Sequence, residues 1–119
     1  MVKIDFLRNH PQHVEIVSRW IYEEWDHVTE RDLEQVIVKT RARLNDDRIP
    51  LCLVALEEDE CVGTISIYEN DLGSRPDLYP WLASLYVRQD RRSQGIGGAL
   101  MDELLAVARR LGLRKLYLH

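Results

Sequence analysis

The run Leu85-Tyr86-Val87-Arg88-Gln89-Asp90-Arg91-Arg92-Ser93-Gln94-Gly95-Ile96-Gly97-Gly98-Ala99-Leu100 constrains this chain more than any other part of it. An apolar, strand-like segment passes into a basic turn rich in glycine. That turn opens a helix whose Leu100, Leu104, Val107, Ala108 and Leu111 recur at helical spacing. The first amides of a helix have no partner inside it, glycines let a ligand approach the backbone, and Arg92 adds a full positive charge. The combination is an anion site. The field of one helix end contributes only ~0.3–1 kcal/mol per nearby charge, so several amides must act together. A turn used for packing alone would have no need of glycine at 95, 97 and 98, where each costs backbone entropy.

The nature of the anion narrows by spacing. A phosphate loop of the nucleotide-hydrolase kind needs G-x-x-x-x-G-K-[ST], and no lysine follows these glycines. A dinucleotide fingerprint needs glycine or alanine at its sixth position, where Gly95-Ile96-Gly97-Gly98-Ala99-Leu100 has leucine.

Around this segment the chain alternates strand and helix. Lys3 to Arg8 reads as a short strand. Pro11 suits the first position of a helix, on which Val14, Val17, Ile21 and Trp25 form one apolar stripe. Thr29-Glu30-Arg31-Asp32 resembles a capping box, and Leu33, Val36, Ile37, Thr40 and Leu44 repeat the stripe behind it. Leu51 to Leu56 is apolar throughout, as a strand covered on both faces should be. After the polar turn Glu57-Glu58-Asp59-Glu60, Cys61 to Glu69 alternates, with Ile65 and Ile67 opposite Thr64, Ser66 and Tyr68. Asn70 to Asp77 reads as a long loop, Trp81 to Arg88 as a strand, Gly98 to Leu111 as a helix closed by Gly112, and Leu113 to His119 as a last strand. The order β-α-α-β-β-β-α-β gives an α/β (α+β) fold with a mixed sheet flanked by helices, and 119 residues make one domain, 1–119.

Composition removes several functions. Lys and Arg total 16 against 20 Asp and Glu, a net charge of −4 with no basic block, which disfavours nucleic acid. No apolar run reaches the ~20 residues of a membrane span, and Met1-Val2-Lys3-Ile4-Asp5 is too charged to open a signal peptide. We therefore expect a cytoplasmic protein with no membrane partner. Cys52 and Cys61 lie in apolar strands with no adjacent base and read as core thiols. His10, His13, His27 and His119 have no metal-ligand spacing with them, so no metal is expected.

The hexapeptide Arg92-Ser93-Gln94-Gly95-Ile96-Gly97 realises the pattern [Gln/Arg]-x-x-Gly-x-[Gly/Ala]. Together with the Leu85-Tyr86-Val87 strand before it, it resembles the acetyl-coenzyme A motif of the GNAT superfamily of N-acetyltransferases. The resemblance is clearest from Leu51 to His119, and the two N-terminal helices match the order of elements in that family. It implies a mostly antiparallel sheet of the GNAT-like acyl-CoA acyltransferase fold. It also implies that the amides of Ser93, Gln94, Gly95, Ile96, Gly97 and Gly98 cradle the diphosphate of acetyl-CoA, the cosubstrate, with Arg92 at the rim. The backbone of Leu85, Tyr86 and Val87 would pair with the pantetheine arm, and an amide there would polarise the thioester carbonyl.

The implied reaction is transfer of an acetyl group to a primary amine, on a small molecule or a peptide, by direct attack in a ternary complex. The candidate base is Glu69, at the end of a strand, and Tyr79 and Trp81 are candidates to line the acceptor pocket. Members of the family usually continue with a helix and two strands, and a tyrosine in that helix commonly serves as general acid. Against that pattern the sequence reads as truncated after the fifth strand, with that tyrosine lacking a counterpart. A bare last strand needs a cover, so the expectation is a homodimer or a compromised monomer. The alternative function is a non-catalytic acyl-CoA-binding or regulatory module of the same fold.

Overall fold

The apolar run at the middle of the chain is covered on both faces. The computed structural model describes residues 2–25, 32–68, 81–113 and 117–118. Lys3–Phe6 (β1), Leu51–Glu57 (β2) and Glu60–Tyr68 (β3) pair antiparallel in sequence. Trp81–Val87 (β4) continues antiparallel to β3, and Tyr117–Leu118 (β5) lies parallel to β4, giving the sheet order β1-β2-β3-β4-β5. Val14–Glu24 (α1), Leu33–Arg41 (α2) and Ile96–Arg110 (α3) are the described α-helices. The mixed, mostly antiparallel α/β sheet expected above is therefore present.

Strand alternation sorts the core into two layers. Leu51, Leu53 and Ala55 of β2, with Ile65 and Ile67 of β3, pack against Leu100, Leu104 and Val107 of α3. Cys52, Val54 and Leu56 turn to the opposite face and meet Val14, Val17 and Ile21 of α1 and Val36 of α2. Each fully buried leucine or valine contributes ~1.5–3 kcal/mol relative to exposure, so α3 is held to the sheet mainly by its own stripe. The sequence pairs Thr64, Ser66 and Tyr68 on a polar face of β3, yet all three are buried, because α1 and α2 cover that face. Thr64 satisfies its hydroxyl by donating to the Leu53 carbonyl at 2.9 Å.

Several boundaries differ from the sequence reading for local reasons. β1 ends at Phe6, and Leu7–Asn9 and Pro11–His13 form single 3-10 turns before α1, so Pro11 opens a turn instead of the helix itself. Trp25, read as part of the α1 stripe, follows the last helical residue and is 38% exposed. The capping box of α2 runs from Asp32 to Gln35, one turn later than expected: Gln35 N donates to Asp32 Oδ1 at 2.8 Å, and Asp32 N to Gln35 Oε1 at 3.0 Å. Thr29 lies outside the described residues.

α3 starts at Ile96, two residues before the expected Gly98, because Gly95 in the left-handed region (φ 82°) already caps it and Ile96 is buried. Its other end matches the sequence. Gly112 has φ 78°, Gly112 N reaches the Arg109 carbonyl at 3.0 Å, and Leu113 N reaches that of Ala108 at 2.9 Å. No described helix is long and apolar enough to cross a membrane.

Candidate functional site

A cleft of ≈ 330 Å³ lies where β4 runs into α3. Its walls are the edge of β4 at Leu85–Val87, the turn from Arg91 to Gly97, and Glu24 and Trp25 at the end of α1. Two irregularities of β4 open that edge. Between Thr64 and Ser66 of β3, β4 runs from Tyr86 to Ala83, one residue more than its partner, and Ser84 takes φ 59° to fit. This is a β-bulge, which bends the strand and leaves main-chain groups unpaired. β5 is paired with β4 only at Trp81 and Leu82, so among the described residues no strand lies on that side of Leu85–Val87.

The turn is pinned from the sheet side. Arg88 N donates to the Val62 carbonyl at 2.8 Å, and its guanidinium meets Glu60 at 2.8 Å and Asp90 at 2.6 Å. The bond from Arg88 holds the Asp90 carboxyl below the usual carboxylate range. Arg91 meets Glu57 at 2.8 Å. Both arginines are thus committed to carboxylates. Arg92 differs: its Nε donates to the Val87 carbonyl at 2.8 Å, its guanidinium lies 5.3 Å from the centre of the Tyr86 ring, and no described carboxylate pairs with it. Tyr86 is itself held by stacking on Trp20, with ring centres 5.0 Å apart.

Past Arg92 the backbone alternates between left-handed Ser93 (φ 66°) and left-handed Gly95 (φ 82°), the kind of bend that turns successive amides toward one side. The amides of Ile96, Gly97 and Gly98, the first turn of α3, have no intrahelical acceptor, and no side chain caps them. The three glycines have different reasons for being there. Gly95 is required by its φ. A Cβ on Gly97 would meet only Val87 Cγ2, at an ordinary 3.7 Å, and a Cβ on Gly98 would meet nothing within 4 Å. Nothing among the described residues asks for glycine at 97 and 98. A ligand in van der Waals contact with the backbone there does ask for it, and a diphosphate fits the donor set of bare amides beside an unpaired arginine.

Most of the coenzyme-site residues named from sequence come together. Leu85, Tyr86, Val87, Arg92, Ser93, Gly95, Ile96 and Gly97 all line the one cleft; Gln94 lies within the turn and Gly98 in the first turn of α3. Glu69 and Tyr79 lie outside the described residues, as does the side chain of Trp81, whose backbone pairs with Tyr68 and Tyr117. The sequence reading missed Glu24 and Trp25, which carry no motif and reach the cleft only because α1 ends there. It also missed Ser84, since nothing but its positive φ marks the bulge.

Burial raises the pKa of both cysteines, and it pushes the Cys61 thiol up to about 12. Cys52 Sγ is 3.0 Å from Thr64 Oγ1. These are protonated core thiols, not nucleophiles. His10 Nε2 lies 2.9 Å from Asp5 Oδ2, far along the chain from the turn. Among the described residues no group of three or more His, Cys, Asp or Glu side chains is placed to hold a metal.

Comparison with known proteins places this geometry. The model of the acetyltransferase (GNAT) family matches residues 10–119. A possible acetyltransferase from Clostridium difficile 630 superposes with TM-score 0.76 at 19% identity, over 100% of this chain and 79% of that one. A predicted acetyltransferase from Clostridium acetobutylicum, solved with acetyl-CoA, gives 0.72 at 12% identity, over 100% and 80%. The ribosomal-protein-alanine N-acetyltransferase of Brucella melitensis biovar Abortus 2308 gives 0.68 at 23% identity, over 100% and 80%. No curated protein sequence matches significantly. At these identities the structures establish the fold they share with this chain.

Proposed function

Since the chain belongs to the acetyltransferase (GNAT) family, we propose that it transfers the acetyl group of acetyl-CoA to a primary amine by direct attack within a ternary complex. The observation that carries the reading is the open space at Gly97 and Gly98, glycines that the protein's own packing does not need. Acetyl-CoA brings an activated thioester; the chain's residues bind, orient and polarise it. The amides at the start of α3 and Arg92 hold the diphosphate. The main chain of Leu85 and Val87, on an edge of β4 that no described strand covers, holds the pantetheine arm as an added strand would be held. A main-chain amide of β4 donates to the thioester carbonyl as it gains negative charge, a role that the bulge at Ser84 supports. Neither cysteine is suited to a covalent intermediate, because both stay protonated in the core. This supports one direct displacement. The acceptor is a small-molecule or peptide amine.

Calorimetry with acetyl-CoA, followed by coenzyme A thiol release with spermidine, lysine, an aminoglycoside and an alanine-ended peptide, tests the reading. Binding together with amine-dependent release is the expected result. Binding without release from any of these amines would replace the enzyme with an acyl-CoA-binding module. Absence of binding would overturn both.

A further inference from the structure

Arg43 is a buried cation with no counter-ion among the described residues. It is 3% exposed, its Nη1 has no hydrogen-bond partner, and it forms no ion pair among the described residues. Such a charge is costly to keep, so what it faces matters. Its guanidinium carbon lies 3.7 Å from the centre of the Tyr68 ring, and Lys39 Nζ lies 5.5 Å from the same centre. Tyr68 is itself buried at the end of β3, and its hydroxyl is hydrogen-bonded to that of Ser84.

Ser84 is the extra residue of the β4 bulge, held at φ 59°, a conformation that costs a non-glycine residue energy and persists where the surroundings impose it. The residue after it, Leu85, lines the cleft. A continuous chain of contacts therefore runs from a buried cation through a phenol to a serine hydroxyl at the bend of the strand. From the diphosphate cradle at α3, the edge of β4 leads back through Val87 and Leu85 to this bend, which is where the thioester end of the pantetheine arm would come.

We propose that Tyr68 and Ser84 form a two-hydroxyl proton relay for the acyl transfer, with Arg43 as the positioning residue that polarises Tyr68. The relay rests on the acetyltransferase reading. As the amine nitrogen bonds to the acyl carbon, the carbon–sulfur bond breaks and its electron pair leaves on sulfur. Ser84 gives its proton to that sulfur and takes the proton of Tyr68. The nitrogen sheds its extra proton to solvent, and solvent reprotonates Tyr68, so a thioester and an amine become an amide and a thiol. A positive charge over the ring favours the phenolate and makes the proton easier to give. Among the described residues, the charged or titratable groups placed on this face are Arg43 and Lys39 beside the ring and the Cys52 thiol on β2, which stays neutral because burial raises its pKa. Burial of Tyr68 opposes the two cations.

The test combines a titration with kinetics. Protein carrying tyrosine labelled with carbon-13 at the ring Cζ is titrated by NMR, and Tyr68→Phe assigns the Tyr68 signal. Tyr68 is expected to ionise earlier than the ordinary tyrosine range near ~10, and Arg43→Met to move that midpoint up by at least one pH unit. In parallel, Ser84→Gly removes the hydroxyl while suiting the positive φ, so it folds at least as well as the wild type. Ser84→Gly and Tyr68→Phe should bind acetyl-CoA within twofold of the wild type by calorimetry. Both should lower kcat about 100-fold, with the fastest amine of the panel, and lose the alkaline limb of the pH profile. A Tyr68 midpoint that is ordinary and unmoved by Arg43→Met overturns the relay, as does Ser84→Gly with kcat within twofold of a working wild type. Wild-type protein that binds no acetyl-CoA, or releases no thiol, instead overturns the acetyltransferase reading and the relay with it.

Discussion

Arg92 Nε donates to the Val87 carbonyl across 2.8 Å, so the turn into α3 is tied back to the last residue of the strand it leaves. The bond leaves the rest of the guanidinium over Tyr86 at the cleft wall, with its charge unneutralised by any described carboxylate. Arg92→Ala is therefore expected to weaken acetyl-CoA binding about tenfold, ~1.4 kcal/mol, and to flatten its dependence on salt. Because Arg92 is exposed, thermal stability should stay within ~0.5 kcal/mol of the wild type. Arg92→Lys keeps the charge and loses the fork, and should fall between the two. Isothermal titration at two salt concentrations checks the binding outcomes, and a melting curve checks the stability.

The glycines of the turn divide by cause, and substitution should separate them. Gly98→Ala and Gly97→Ala replace helical glycines whose Cβ has room, so each should stabilise α3 by up to ~1 kcal/mol and raise Tm by a few degrees. Both should at the same time weaken acetyl-CoA binding tenfold or more, because the added methyl stands where the ligand meets the backbone. Gly95→Ala forces a side chain to φ 82° and should destabilise by ~1–2 kcal/mol. A melting curve and a titration on the same three proteins are sufficient. Gly97→Ala that melted higher and bound normally would show that the cradle lies elsewhere.

Gly63 meets a different constraint, since it lies under α3 where helix and sheet approach closely. A Cβ there would come within 3.1 Å of both Leu100 Cδ1 and the Tyr86 carbonyl oxygen. The leucine tip can give, whereas the strand carbonyl cannot. Gly63→Val should therefore destabilise by ~1–3 kcal/mol, as overpacked cores do, and should push the start of α3 away from β4. Denaturant melts report the first effect, and a weakened coenzyme affinity larger than the stability loss explains would report the second.

What could be seen in the sequence follows from how local each signal is. The run from Leu85 to Leu100 was legible because a strand, a glycine turn and an amphipathic helix each leave a mark within a few residues, and here the marks are consecutive. The closing of α3 at Gly112 was legible for the same reason. The sequence reading starts α2 from Thr29-x-x-Asp32, whereas the capping bonds that are seen run between Asp32 and Gln35, a pair that fits the same short pattern three residues on. The bulge was invisible, because Ser84 carries no glycine to announce its positive φ and the shift exists only relative to β3. Arg43 was invisible too. Arginine is mostly exposed, and only the layering of α1 and α2 over β3 shows that this one is not. The base candidate Glu69 and the pocket candidate Tyr79 fall outside the described residues, so their reading rests on sequence alone.

The two thiols give the chain a predictable weakness at alkaline pH. Burial raises the pKa of Cys52 and pushes that of Cys61 up to about 12, whereas an unfolded cysteine ionises near ~8.5. The folded state therefore holds protons that the unfolded state gives up. Stability from this source is fully present below the unfolded value and declines as pH rises above it, toward the folded value. Denaturant midpoints should fall steadily from pH 8.5 to pH 10.5. Cys61→Ala should fall less steeply across that window, while starting lower because of the cavity it leaves. At pH 8 neither thiol should react with a disulfide reagent until denaturant is added. Rapid labelling of the native protein at that pH would mean that the face of the sheet beneath α1 and α2 opens to solvent.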